Sequence, residues 1–347
     1  MIPLVIPEDK SAAVARGLRQ AFGAEEFEDI RMLTKGQSGA LVYRIIVGGS
    51  PYLLRIITRT QDPTLPQHFT CMKAAAEAGL APRLWYTSIE DRISITDFVE
   101  AVPFDVSDAL VRMPATLRAL HSLPPFPGRA NHLNTSCMFL INEGPALDGF
   151  IQSFRAANLL PTSETDELLA WHSQVCAVYP HDPHDMVSSH NDFLRPENVL
   201  FDGHRVWLVD WEAAFLNDRY ADLAVVANFI VANDAEEKIY LQEYFGRPPD
   251  QYQLARFFLM QQIVHMFYTM GFLLLGSSGK PVNLSEPAPE CKAFHRRIWS
   301  SGLNLSDKET KFVYGRVHWE QLLQNTRLPR FTEALRIVSD RHGPTLL

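Results

Sequence analysis

Hydrophobic positions along the first hundred residues change their period twice. Within residues 11–22, Val14, Leu18 and Phe22 recur at helical spacing and predict an amphipathic helix. The pattern then shortens into the runs Ile30-Arg-Met-Leu33, Leu41-Val-Tyr-Arg-Ile-Ile-Val47 and Tyr52-Leu-Leu-Arg-Ile-Ile57. Gly36-Gln-Ser-Gly39 and Gly48-Gly-Ser-Pro51 separate them, so three antiparallel strands are expected. A helix over 69–78 stops at Gly79, and 93–99 reads as a further strand running into Ala101-Val-Pro-Phe104, where a lobe boundary is placed. Residues 110–123 and most of the chain after Asp222 read as helical, with one β island between Val199 and Val209. The pattern as a whole predicts an α+β protein of two unequal lobes, a small β-rich one and a larger, mainly helical one.

Composition narrows what such a chain does. With 347 residues, 46% of them hydrophobic, it can bury a substantial core. Cys71, Cys137, Cys176 and Cys291 fall in neither a metal-ligand nor a redox spacing and read as reduced thiols. The start, Met1-Ile-Pro-Leu-Val-Ile-Pro, has no basic region and places prolines in its apolar run, so the expected location is cytoplasmic. The longest apolar stretch, 263–275, is interrupted by His265 and reads as a buried helix, so no membrane partner is expected. A net charge of −8 without a Lys/Arg-rich run lacks the footprint of a nucleic-acid binder and suits a cationic small partner.

The densest chemical signal lies in 188–212. A polar loop holds His190, Asp192 and Asn198; Val199-Leu-Phe201 is a strand, Asp202-Gly203 a hairpin turn and 205–209 the returning strand, with Asp210 at its end. Phosphoryl transfer requires a carboxylate to orient the attacking hydroxyl and oxygen ligands to hold metal-bound phosphates. The hairpin is expected to bring Asn198 and Asp210 to one magnesium site while Asp192 faces the acceptor.

These residues resemble the aminoglycoside phosphotransferase and choline/ethanolamine kinase superfamily, distant relatives of protein kinases. The resemblance implies that Asp192 is the catalytic base or hydroxyl-orienting group, that His190 supports its loop, and that Asn198 and Asp210 bind Mg2+. It extends through the Asp222-Leu-Ala224 element, whose aspartate would anchor the catalytic loop, and through Leu117-Arg-Ala-Leu-His-Ser-Leu123, covering about 33–229. One spacing departs from it: the family separates its aspartate and asparagine by five positions, this chain by six, which implies a bulge at Phe193-Leu194. The implied protein has a two-lobed, protein-kinase-like fold. Residues 1–100 would form the nucleotide-binding lobe and 101–347 the catalytic and substrate-binding lobe.

On the nucleotide side, Gly36, Ser38 and Gly39 form a turn whose backbone N–H groups suit phosphates. By resemblance, Arg55 takes the strand position of a phosphate-contacting lysine, and the backbone of Asp97 and Val99 reads adenine. The position where such folds carry a helix glutamate falls on His68, and Glu77 is out of phase. The expected reaction moves the γ-phosphoryl group of ATP to a hydroxyl of a small molecule, with a cationic amino alcohol of the choline or ethanolamine type as first choice. An aminoglycoside is the alternative, on the segment Gly36-Gln-Ser-Gly-Ala-Leu-Val-Tyr43, and a pseudokinase or scaffold that binds nucleotide without turnover is the reading from another class. Gly276-Ser-Ser-Gly-Lys280 reads as a surface turn rather than a P-loop, because Pro281 follows the lysine. His181-Asp-Pro-His-Asp185 reads as a polar loop, and Phe257, Phe258, Phe267, Tyr268 and Trp299 as core.

Overall fold

The helical spacing near the N-terminus becomes α1 (Glu8–Phe22), closed by Gly23 at φ 71°, whose N–H returns to the Arg19 carbonyl. The computed structural model describes residues 6–35, 39–59, 62, 64–127, 145–180, 182–192, 194–300 and 302–342. They fall into two compact units, residues 1–102 with 199–214 and residues 103–198 with 215–347.

In the first unit, β1 (Asp29–Lys35), β2 (Ala40–Val47), β3 (Ser50–Ile57), β4 (Leu84–Ser88) and β5 (Ile93–Asp97) form one antiparallel sheet in the order β1-β2-β3-β5-β4. The β2–β3 turn uses Gly48 and Gly49 at φ 57° and 72°, the pair of positive values that a tight two-residue hairpin needs. Ala13, Val14 and Leu18 of α1 pack on Tyr43, Ile45, Leu54, Ile56, Ile93 and Ile95, so one face of the sheet and one stripe of the helix share a core. The strand β4 was not foreseen, and β5 ends at Asp97 rather than Val99. After β3 comes α2 (Leu65–Glu77). The hairpin β7 (Val199–Phe201) and β8 (Val206–Leu208) packs with this unit although it follows residue 100 in sequence. Leu208 N–H donates to Leu80 O at 2.8 Å, and Val102 N–H to Phe201 O at 2.7 Å.

The second unit contains α3 (Val106–His121), α4 (Pro145–Ala157), α5 (Thr162–Val178), α6 (Arg219–Ile230), α7 (Asp234–Phe245), α8 (Gln251–Gly276), α9 (Cys291–Trp299), α10 (Lys308–Thr326) and α11 (Pro329–His342). It also holds a second β element that the hydrophobic pattern missed: β6 (Met186–Ser189) pairs antiparallel with β9 (Phe215–Asp218). At 26 residues α8 is longer than the apolar stretch that announced it, and it is long and apolar enough to cross a membrane, yet 72% of its most apolar window is buried. Its last residue explains the glycine of 276–280. A Cβ on Gly276 would stand 2.3 Å from the Phe312 nitrogen of α10, and one on Gly315 2.7 Å from the Leu273 nitrogen, so both glycines let two helix backbones touch. Phe257, Phe258, Tyr268 and Trp299 are buried in the core, while the partly buried Phe267 stacks on Phe150.

Candidate active site

The ladder of β6 and β9 ends at the pair Ser189 and Phe215, and the chain after β6 turns onto a single buried carboxylate. Asp222, in the first turn of α6 and 1% exposed, accepts the N–H of His190 at 2.8 Å and that of Asn191 at 2.9 Å. His121, the last residue of α3, stands with Nε2 3.2 Å from the same carboxylate and with Nδ1 2.7 Å from the Tyr244 hydroxyl. A carboxylate only accepts, so Nε2 carries the proton and Nδ1 accepts from Tyr244. Burial alone would raise the Asp222 pKa, but the His121 and His190 contacts outweigh it and hold the group below the ordinary aspartate value. The Leu-His ending of α3 and the Asp-Leu-Ala start of α6 are therefore two halves of one anchor.

Asn191 adds a second tether that was not foreseen. It sits in the left-handed region at φ 62°, donates through Nδ2 to Phe215 O at 3.2 Å, and accepts from Asn217 Nδ2 at 2.6 Å. Asparagine tolerates that backbone better than most residues. His190 is 0% exposed, which makes its ring part of the loop's foundation.

Asp192 follows, half-buried, and receives Asn198 Nδ2 on Oδ2 at 3.0 Å. The six-position spacing is absorbed by a turn in which Asn198 N–H donates to Arg195 O at 2.8 Å, with Leu194 fully buried beneath it. Of the two bulge positions, Phe193 lies outside the described residues.

The first unit carries a cluster of charges. Asp210, itself left-handed at φ 70°, follows β8 by two positions and accepts Arg55 Nη1 at 2.8 Å. Arg55 Nη2 also stands 3.6 Å from Glu212 Oε2, and Arg59 Nη2 reaches the same oxygen at 2.5 Å. Arg55 is thus held by the two acids of Asp210-Trp-Glu212, not by a helix glutamate. His68 occupies that place on α2, 2% exposed, with burial and then the Arg55 charge pushing its pKa down to about 3. Glu77 is exposed and pairs with Lys73. Burial, and next the Asp210 charge, raises the Glu212 pKa. Trp211 is 1% exposed and donates to Leu208 O, so its ring is part of the packing of this unit.

Gly36 and Ser38 lie outside the described residues, while Gly39 is left-handed at φ 66°. Asp97 N–H donates to Arg83 O at 2.9 Å, its side chain accepts from Trp85 Nε1 at 2.6 Å, and its backbone carbonyl accepts the Thr96 hydroxyl at 3.2 Å. Val99 is half-buried on the extended chain after β5. Arg59 was not singled out from sequence; the signal available was the recurrence of arginine four positions after Arg55, two positions beyond the end of β3.

A small antiparallel five-stranded sheet, a larger helical unit and an aspartate–asparagine loop anchored on a buried carboxylate define a two-lobed α+β, protein-kinase-like fold. The chain belongs to the phosphotransferase enzyme family, whose sequence profile matches residues 29–258, and is a small-molecule kinase. Among solved structures it is similar to a choline/ethanolamine kinase family protein from Mesorhizobium loti, with a TM-score of 0.64 and 18% identity over 96% of this chain and 100% of that one. It is similar to the choline kinase of Cryptosporidium parvum, with a TM-score of 0.60 and 12% identity over 95% and 99%. It is also similar to a macrolide 2'-phosphotransferase from Brachybacterium faecium, with a TM-score of 0.53 and 16% identity over 87% and 99%. No curated protein matches it in sequence.

Proposed function

We propose that the protein transfers the γ-phosphoryl group of ATP, bound with Mg2+, to the hydroxyl of a small amino alcohol in the cytoplasm. The observation that carries the reading of an active enzyme is the Asn198–Asp192 hydrogen bond of 3.0 Å, which keeps the two groups together in spite of the extra residue. Asp192 orients the acceptor hydroxyl and takes its proton. Asp222 fixes Asp192 through the two preceding N–H groups, a geometry that costs no reorganisation during reaction. Asp210 and Asn198 would hold the magnesium ion, and their donor set fits it: a carboxylate, and a carboxamide whose Nδ2 donates to Asp192 and whose oxygen would serve the ion. When bound, the ion neutralises phosphate charge. Arg55 contacts the phosphates, and the backbone of Asp97 and Val99 reads adenine. Residues 1–100 act as the nucleotide-binding lobe.

The net charge of −8 and the fold shared with choline/ethanolamine kinases support a cationic acceptor. The test is ATP consumption with Mg2+ against a panel of amino alcohols, sugars, aminoglycosides and macrolides. Turnover on choline or ethanolamine is expected. Turnover on another class alone replaces the acceptor, and nucleotide binding without turnover on any of them overturns the enzymatic reading.

A further inference from the structure

The chemistry of the β3 strand does not end at Arg55. Side chains alternate along extended chain, so Arg55, Ile57 and Arg59 share a face. Thr58 prolongs that geometry, its N–H reaching the Gly39 carbonyl at 2.9 Å and its hydroxyl the same oxygen at 2.5 Å. The stem of Arg59 lies on this glycine: a Cβ there would meet Arg59 Cγ at 3.1 Å. Two guanidinium groups four positions apart therefore converge on one carboxylate oxygen, Glu212 Oε2, beside the end of the glycine turn. Asp62 is the other acid near Arg59, at 3.6 Å, and Arg59 Nε is buried without a hydrogen-bond partner among the described residues.

Glu212 between them, Asp210 at 2.8 Å from Arg55 and Asp62 at 3.6 Å from Arg59 neutralise the two guanidinium groups, so an anion enters here by exchange with a carboxylate. A polyphosphate supplies more negative charge and more acceptor oxygens to the same fork of N–H groups, Nε included. We propose that Arg59 is a second phosphate-binding residue of the nucleotide site, contacting the terminal phosphates alongside Arg55 and exchanging Glu212 for phosphate when a nucleoside triphosphate enters. This rests on the nucleotide-dependent reading above and assigns a role to a residue outside the catalytic loop.

The test is calorimetric titration of the full chain with ATP, GTP and AMP in EDTA, so that no metal links phosphate to carboxylate. Arg59→Met is expected to bind ATP about tenfold more weakly, a loss of about 1.4 kcal/mol, and AMP within about twofold of the native chain. Glu212→Gln, which releases Arg59, is expected to bind metal-free ATP more tightly. Arg59→Lys keeps the charge but not the fork, and a loss of about threefold for ATP alone is expected; it carries the test if Arg59→Met does not fold. Unchanged ATP affinity in both arginine variants overturns the role of Arg59 alone. Equal losses for ATP and AMP also overturn it, as a merely structural effect. A native chain that binds neither ATP nor GTP overturns the nucleotide-dependent reading and this inference with it.

Discussion

The catalytic loop and the charge cluster of Asp210 and Glu212 are held by different physics. The loop rests on one buried carboxylate that accepts two backbone N–H groups and an imidazole N–H, with neutral amides from Asn191 and Asn217 beside it. The cluster is a set of mutually neutralising side chains, with Arg55 14% and Glu212 27% exposed. The first arrangement is buried, where salt screens little; the second is partly open to water, where exchanging a carboxylate for another anion costs less. Under the proposed function, the group that would stay in place while bonds change sits on the rigid scaffold, and those that would release and recapture phosphate sit in the exchangeable one.

Asp192→Ala gives the sharpest test of the rigid side. It removes the carboxylate proposed to orient the hydroxyl and should lower kcat by about 10² to 10⁴-fold while nucleotide affinity holds, read by steady-state rates beside calorimetry. Full activity in that variant would sink the assignment. Next in size is Asp222→Ala, which leaves two backbone N–H groups and the His121 N–H buried without an acceptor. It should cost about 3–5 kcal/mol of stability, measured by urea unfolding. Little change would mean that the loop is held by something other than this anchor.

The elements most legible in the sequence were those whose hydrophobic period ran long enough to be counted between glycine turns: α1, β2, β3 and the β7–β8 hairpin. The strands β6 and β9 were invisible because each has four residues, and their side chains, Ser188, Ser189, Asn217 and Asp218 among them, are polar groups satisfied inside the unit. Asp222 could be assigned as an anchor because its motif is local. The partners of Arg55 could not, because Asp210 stands 155 positions away and no pattern within β3 points to it. Reading the helix position alone found His68 where an acid was expected, and could not reveal that the acids come from the other end of the unit.

Acid separates the two units by a smaller margin. His265 and His68 are pushed down to about 3, the first by burial and the Lys292 charge, the second by burial and Arg55. His295 and His318 are held well below their ordinary value, by burial first and then by the charges and rings around them. Unfolded imidazole takes up its proton near about 6.5. Below that pH the unfolded chain binds more protons than the folded one, so stability is complete above it and declines as pH falls toward 3. Each buried histidine contributes about 1.4 kcal/mol per pH unit to the decline. Asp222, whose pKa is depressed, loses its contribution only below the ordinary aspartate value of 3.8, well under the pH 5 at which the two units are compared. Three of the four histidines belong to the helical unit, so hydrogen exchange at pH 7 and pH 5 should show it losing protection before the sheet unit. Equal loss in both units would show that they unfold as one.

The smallest effect is expected where the charges are most numerous. Glu212→Gln removes an acid whose pKa is raised by burial and by Asp210, so the ionised form is under strain that its arginine contacts offset. A raised acid is one whose protonation favours the folded chain, and the amide imitates that protonated form. The loss of the Arg59 contact and the relief of repulsion from Asp210 then oppose each other. Stability at pH 7 should move by less than about 1 kcal/mol, and by still less at pH 4, where the native acid is itself taking up its proton. A loss of several kcal/mol at pH 7 would mean that the cluster is scaffold, like the loop, and that the contrast between a fixed and an exchangeable half of the site does not hold.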